Sequence, residues 1–220
     1  MSYPDVSVLV PVHNGEAYLG RCLRSLVAQL MPRNQFEIIV IDDGSSDRTS
    51  FVMDMFADEI VTIALEANGG LPAALNAGLE VAKGSYIVRV DSDDYVNESF
   101  LSILHMFASA NDEFDAVACD YLLVNNVEEV LGRGNCEKDP IACGVMFLLD
   151  QLNRIGLYDE NFRTHEDLDL RHRFLSKYSI FRVPLPLYRY RRHETNMTNN
   201  EENSAMFLAM LKHKHGLESK

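Results

Sequence analysis

The chain reads as an α/β fold: a mostly parallel sheet with helices on both faces, followed by a less regular second half. Three observations lead there. Short runs rich in valine and isoleucine alternate with helical stretches in the order β-α-β-α-β-α-β over the first half of the chain. Those runs are apolar throughout instead of alternating, as strands covered on both faces are. Each run also ends in a polar cluster. Four clusters therefore fall along the carboxyl edge of one sheet, where open α/β sheets bind their ligands.

The first strand, Val6 to Pro11, is short, valine-rich and stopped by its proline. From Glu16 the positions Leu19, Cys22, Leu23, Leu26, Val27 and Leu30 keep helical spacing, and Pro32 ends that helix. Phe36 to Ile41 is a second strand, closed by Asp42-Asp43-Gly44-Ser45-Ser46-Asp47. Ser46 or Asp47 can cap a helix running to about Phe56. Ile60 to Leu65 is a third strand, and Asn68-Gly69-Gly70 turns it into a helix with Leu71, Leu75, Leu79 and Ala82 on one face. Lys83-Gly84 stops this helix, and the fourth strand runs from Ser85 through Val90 into Asp91-Ser92-Asp93-Asp94.

Beyond that point a helix is expected through Phe100, Ile103, Leu104 and Phe107, starting at Asp94 or Asn97. A strand over Asp115 to Val124 has a hairpin partner in Val127 to Arg133. Ile141 to Phe147 is apolar around Gly144, and Leu149 to Ile155 forms a short helix. Thr164-His165-Glu166-Asp167-Leu168 opens another helix, and Ser179 to Pro184 is a late strand. Arg189, Arg191, Arg192 and His193 make the only concentrated basic stretch. A polar, Asn-rich segment from Glu194 to Glu202, expected to be mobile, precedes an amphipathic tail from Ser204 to Leu211.

At 220 residues the chain can bury a good core as one domain. Its 20 basic against 33 acidic residues leave a net charge of −13, which argues against nucleic-acid binding. The same balance means an anionic ligand needs local compensation from a metal or from helix N-termini. No apolar run approaches the ~18 residues of a membrane span. Met1-Ser2-Tyr3-Pro4-Asp5 shows no charged n-region leading into an apolar one, so no signal peptide is expected. Cys22, Cys119, Cys136 and Cys143 form no CxxC pair and read as buried, reduced thiols of a cytosolic protein.

The densest chemistry lies at Asp91-Ser92-Asp93-Asp94. Three carboxylates within four residues cannot sit unpaired inside a strand, so they mark where the strand leaves the sheet. Oxygen ligands clustered there suit Mg²⁺ or Mn²⁺, which take phosphate oxygens as their other partners. Alone, the cluster reads first as an acidic, solvated loop with a helix start at Asp94 or Asn97. His13-Asn14, Asp42-Asp43 and Asn68-Gly69-Gly70 at the same sheet edge turn the balance toward a ligand crevice.

Taken together, VSVLVPVHN-E-YL, EIIVIDDGSSD-T, N-GGLPAALNAGL-A-GSYI, DSDD, GLYDENF and HEDLDLRHRF resemble the family 2 glycosyltransferases of GT-A fold, over roughly residues 5–195. The resemblance implies a Rossmann-like, mostly parallel sheet and an irregular acceptor-side C-terminal portion. It implies one domain over residues 1–203, nucleotide-binding in 1–95 and acceptor-side in 96–203, with a helical tail at 204–220. Residue by residue, Pro11, His13, Asn14 and Glu16 line the nucleotide pocket, Asp43 with Asp42 meets the base or ribose, and Gly69 approaches phosphate. Asp91 and Asp93 are the DxD motif, with Ser92 between them: Asp93 ligates Mn²⁺ or Mg²⁺ and Asp91 lies nearer the ribose. Gly144 and Glu166 fall on the acceptor side, and Asp167 matches the catalytic base. His193 falls where a further metal or diphosphate contact is supplied, and the arginines beside it suit diphosphate or an anionic lipid surface.

The implied activity is inverting transfer of a sugar from a nucleotide-diphosphate donor, UDP- or dTDP-linked, to a glycan or lipid-linked acceptor. The implied place is the cytoplasm, compatible with peripheral association at the inner membrane face; oligomeric state is left open. The family position of His13 often carries Tyr, that of Leu75 often Arg, and Arg89 resembles the variant that pairs with Leu at 75. A dinucleotide-dependent dehydrogenase is disfavoured, because nothing like GxGxxG follows the first strand. The alternative in another class is a catalytically silent nucleotide-sugar-binding module, which has no need of Asp167 beside a DxD.

Overall fold

A computed structural model describes residues 3–111, 113–162, 164–193 and 201–216, the stretch 201–206 as backbone only. The elements up to residue 90 follow the expected alternation: β1 (Val6–Val12), α1 (Leu19–Val27), β2 (Phe36–Asp42), α2 (Thr49–Asp54), β3 (Val61–Ala64), α3 (Leu71–Val81) and β4 (Tyr86–Arg89). The second half holds β5 (Tyr95–Val96), α4 (Phe100–Ala110), β6 (Ala116–Val124), β7 (Val130–Gly134), β8 (Val145–Leu148), α5 (Leu149–Ile155), α6 (Glu166–Leu175), β9 (Ile180–Arg191) and α7 (Glu201–His215).

All nine strands belong to one sheet, in the order β3-β2-β1-β4-β8-β6-β9-β5, with β7 paired to β6. β3, β2, β1 and β4 are parallel, as the buried apolar runs require. β8 enters antiparallel between β4 and β6, while β6 and β9 run parallel. The sheet thus runs without a break from the first half of the chain into the second.

Successive residues of a strand face opposite sides, and the core divides accordingly. Val6, Val8, Val10 and Val12 of β1 and Ile38 and Val40 of β2 pack under α1, α2 and α4. Leu9, Ile39 and Ile41 face the other way, onto α3, α5 and α6 through Leu75, Leu79, Leu152, Leu170 and Phe174. Burying each such side chain contributes about 1.5–3 kcal/mol. These two layers hold the ends of β1, β2 and β4 in fixed register, and those ends carry the polar clusters.

Several expectations differ in detail. α1 ends at Val27, not Pro32, because the chain turns away and the Gln29 side chain bonds Ser25 O, Asn97 O and the Leu101 N–H. Leu30 is consequently 63% exposed. β3 is an outer strand and mostly exposed, so its apolar run is covered less than the others. No helix begins at Asp94 or Asn97; β5 intervenes, and α4 starts only after Ser99. The late strand continues past Pro184 to Arg191. The prolines at 184 and 186 lack an N–H, and the β6–β9 register shifts there instead of ending. The stretch expected to be mobile lies largely outside the described residues, and the tail helix is longer than expected. All four cysteines are free and buried, as expected. No described helix is long and apolar enough to cross a membrane.

The shifted β6–β9 region is held by charge. Asp120, 1% exposed, accepts hydrogen bonds from Arg182 and Arg133 and from the Cys136 N–H. The bond from Arg182, aided by Arg133, pulls its carboxyl down to about 2. A depressed carboxyl stabilises the fold above its unfolded value, and that stabilisation fades as pH falls toward the folded one. Asp120→Asn should therefore unfold at lower temperature than wild type at pH 7, with the gap in Tm closing between about pH 4 and pH 2. A gap independent of pH would show that packing, not the ion pairs, is what Asp120 contributes.

Candidate active site

The first three loops at the carboxyl edge are tied to one another before any ligand enters. His13 Nδ1 lies 2.8 Å from the Asp43 carbonyl oxygen. The Asn14 N–H donates to Ser45 Oγ, and Asn14 Oδ1 accepts from the Ser46 N–H. The Gly15 N–H donates to Thr49 Oγ1, the Glu16 N–H to Asp47, and the Glu16 carboxylate accepts from the Arg48 N–H. Asp42 closes its own turn onto the Ser45 N–H. Asp43 is 4% exposed and accepts the N–H groups of Gly69 at 2.7 Å and Gly70 at 2.9 Å, one on each oxygen. Gly44 makes this approach feasible: at φ +69° a Cβ would lie 2.8 Å from the backbone of Ala67 and Asn68.

The fourth loop is pinned by β9. Tyr188 is fully buried; its hydroxyl donates to Asp94 Oδ2 at 2.7 Å and accepts the Asp91 N–H at 3.1 Å. The Arg191 N–H donates to Asp94 Oδ1, and its guanidinium donates to the Asp93 carbonyl and to those of Asn125 and Asn126. Asp94 is thus wholly engaged in shaping the loop; burial, with Asp93 and Asp91 beside it, pushes its carboxyl well up. Asp93 is the more open carboxylate, 30% exposed, and its Oδ2 lies 2.8 Å from His193 Nε2. The His193 ring stacks on Tyr18, centroids 4.9 Å apart. Burial and Asp91 raise the Asp93 carboxyl, with His193 opposing.

Arg89, on the last residue of β4, joins this loop to α6. Its Nε and Nη2 grip both oxygens of Asp91 at 2.6 and 3.2 Å, and its Nη1 donates to Glu166 Oε1 at 2.8 Å. Arg89 and Glu166 are 7% and 4% exposed. Burial opposes the charge on Arg89, but the two carboxylates outweigh it and hold the guanidinium protonated. The same burial, with Asp167 next along, raises Glu166. Glu166 leads off α6, whose preceding residue His165 adopts φ +63°, a left-handed conformation uncommon outside glycine. Asp167 follows, partly exposed, with no hydrogen bond or ion pair among the described residues. The Gly156–Phe162 segment before it is anchored to α3 by Asn76, which bonds the Tyr158 backbone and Glu160.

Asp91, Asp94 and Cys143 also lie close enough together to hold an ion. Their chemistry does not suit a hard cation. Asp91 is already clamped by Arg89, Asp94 is saturated by Tyr188 and Arg191, and burial raises the Cys143 thiol well above its usual range. Asp93 with His193 is the better donor pair: a half-open carboxylate and an imidazole, a set acceptable to Mn²⁺.

The structure brings Asp93 and His193, 100 residues apart, into contact, and gathers Pro11, His13, Asn14, Glu16, Asp42, Asp43, Gly69, Asp91 and Ser92 at one sheet edge. Two placements differ from the expected roles. Gly144, expected on the acceptor side, is buried at φ +72° beneath the ring of Tyr188, where a Cβ would come within 3.3 Å. Arg191 meets neither diphosphate nor a surface, since it is 2% exposed and spent on internal carbonyls. The sequence reading missed what Arg89, Asp94 and Tyr188 do. Their only signal was a cation and an extra acid flanking the DxD.

A family model described as "Glycosyl transferase family 2" matches residues 7–163. The chain belongs to this family. Among its relatives, EpsJ of Bacillus subtilis is 37% identical over 120 residues, 54% of this chain and 34% of EpsJ. The poly(ribitol-phosphate) beta-glucosyltransferase of Bacillus spizizenii is 31% identical over 178 residues, 73% of this chain and 27% of that protein. The chain thus spans about a third or less of the length of these relatives. Staphylococcus aureus TarS residues 1–349, solved with UDP-GlcNAc, superimposes with a TM-score of 0.76 at 25% identity, covering 89% of this chain and 61% of that one. A mannosyltransferase of Pyrobaculum calidifontis, solved with GDP-Man and Mn²⁺, shares the fold with a TM-score of 0.75 at 18% identity, covering 100% and 66%. The fold is that of the GT-A glycosyltransferases.

Within this family 2 chain the Asp91–Arg89–Glu166 bridge invites a direct test. Arg89→Met keeps the bulk but leaves two carboxylates without their buried partner, and should cost about 3–5 kcal/mol in urea unfolding. Arg89→Met combined with Glu166→Gln should recover part of that loss. A single-variant cost under about 1 kcal/mol would mean that water replaces the guanidinium.

Proposed function

We propose that the chain is an inverting glycosyltransferase that moves a sugar from a UDP- or dTDP-linked donor to a hydroxyl of a glycan or lipid-linked acceptor. The observation that carries this is the carboxylate of Asp167, which makes no hydrogen bond or ion pair among the described residues, on a helix that Arg89 and Glu166 lock to the loop of Asp91 and Asp93. A base whose oxygens are free, at a fixed distance from a nucleotide loop, is what proton removal from an acceptor hydroxyl needs.

The nucleotide enters the crevice lined by Pro11, His13, Asn14, Glu16, Asp42, Gly69 and Ser92. Asp43 keeps a second lone pair on each oxygen beyond its bonds to Gly69 and Gly70, enough to accept the N3–H of uracil or thymine. Cytosine offers no such hydrogen. TarS, solved with UDP-GlcNAc, supports a uridine donor. The name of the Bacillus spizizenii relative supports a surface-polymer acceptor. Asp93 and His193 would hold Mn²⁺ or Mg²⁺, which when bound offsets the charge gathering on the diphosphate leaving group. Asp167 takes the acceptor proton on the face opposite the leaving group, so one displacement inverts C1. Glu166, neutralised by Arg89, does not compete for that proton.

Two variants separate the roles. Asp167→Asn should bind UDP and Mn²⁺ as wild type does in calorimetry, yet lose transfer by roughly 10²–10⁴-fold. Asp93→Ala should abolish Mn²⁺-dependent stabilisation by UDP while keeping the fold. Full transfer by Asp167→Asn would remove it as base, and nucleotide binding without turnover in the wild type would favour a binding module.

A further inference from the structure

α6 presents three different flanks. Glu166, Leu170 and Phe174 are buried toward the sheet. Asp169, wholly buried, is held by Arg173, Lys214 and His215 on the side where α7 packs. Asp167 and Arg171 share what remains: residues four apart lie about 40° apart around a helix axis and roughly 6 Å along it.

Arg171 is half-buried, yet among the described residues its guanidinium makes no hydrogen bond or ion pair. Its neighbours are otherwise matched. Arg133 and Arg182 both engage Asp120, which also accepts the Cys136 N–H, and Arg173 engages Asp169. Burial pulls Arg171 down from the usual arginine range, with Cys136 and Asp167 opposing, so this cation is partly desolvated, and among the described residues it has no contact partner. In a chain of net charge −13, acids to pair with it are plentiful, and among the described residues none is in hydrogen-bond or ion-pair contact with it. A guanidinium offers a planar fork matched to two oxygens of a phosphate or carboxylate.

We propose that Arg171 is the anion-binding residue of the acceptor subsite, so that the acceptor carries a phosphate or carboxylate about one helical turn from the hydroxyl that Asp167 deprotonates. This rests on Asp167 being the base. Arg171 selects the acceptor, binding its anionic group and aligning the hydroxyl with Asp167; it takes no part in bond making. A phosphorylated polyol and an acidic sugar present the same chemistry to it.

Glycerol 3-phosphate, glucuronate and uncharged glycerol serve as probes. In ¹⁵N NMR of the whole chain with UDP and Mn²⁺ present, the Arg171 Nε–Hε signal should shift saturably with one or both anions and not with glycerol. The stronger anion identifies the source. In transfer assays Arg171→Ala should lose about ten- to a hundredfold more in kcat/KM on an anionic acceptor than on a neutral one, mostly in KM, and Arg171→Lys should recover part. UDP affinity measured alongside reports that the fold and donor site are intact. No saturable shift with either anion, or equal losses on charged and neutral acceptors, would overturn the proposal. A loss in kcat with an altered pH profile would also overturn it, assigning Arg171 to Asp167 as a helical charge pair. Absence of all transfer in the wild type would instead count against the enzyme reading, while the NMR signal still decides the anion subsite.

Discussion

One buried guanidinium ties the two halves of the molecule together at the site. Arg89 leaves the end of β4 with Asp91 on one side and Glu166 on the other, so the loop after β4 and the helix α6 share a cation. Two carboxylates facing one another in a buried space would repel, and one would have to protonate. With Arg89 between them, mutual repulsion becomes a clamp. A buried ion pair is not by itself a strong stabiliser, because desolvation consumes most of its attraction. What it does supply is geometry: the charges fit only when β4 and α6 stand at one separation.

The remaining loops are fixed by a different device, backbone N–H groups captured by side-chain oxygens. Asp43 reaches from the second loop to two N–H groups of the third, and Asn14 and Glu16 reach from the first to the second. Each such bond satisfies a donor that would otherwise need water. The crevice is consequently shaped before a ligand arrives, which lowers the ordering cost of binding. Tyr188 repeats the logic for the fourth loop: one hydroxyl serves Asp94 and the Asp91 N–H at once, and Gly144 leaves room for its ring.

The parallel half of the fold was legible because three of its strands, β1, β2 and β4, are largely buried and its loops are short, so local pattern and tertiary position agree. Legibility failed where long-range pairing overrides local chemistry. Arg191 reads as part of a basic surface run, yet β9 pairs with β6 and carries it into the interior, where carbonyls of three residues await it. Pro184 reads as a strand end, but a register shift lets the strand continue. The acids at 91, 93 and 94 could be placed together from sequence. Their different duties could not, since these depend on which of Arg89, His193 and Tyr188 lies beside each.

α6 gathers these constraints. Its sheet-facing side is held by Arg89 through Glu166. Its far side is held at Asp169, a carboxylate with no exposed surface that meets Arg173 from the same helix and Lys214 and His215 from α7. Arg173 in turn donates to the carbonyls of Ile155 and Leu157, fixing the chain that leads into the helix. A helix held on two flanks can neither roll nor slide, so the third flank keeps a constant orientation toward the loop of Asp91 and Asp93. That flank carries Asp167 and Arg171, whose charged groups make no hydrogen bond or ion pair among the described residues. Charge is costly to bury without compensation; here both groups stay partly exposed, and the charge of Asp167, four residues before Arg171 on the helix, supports that of Arg171.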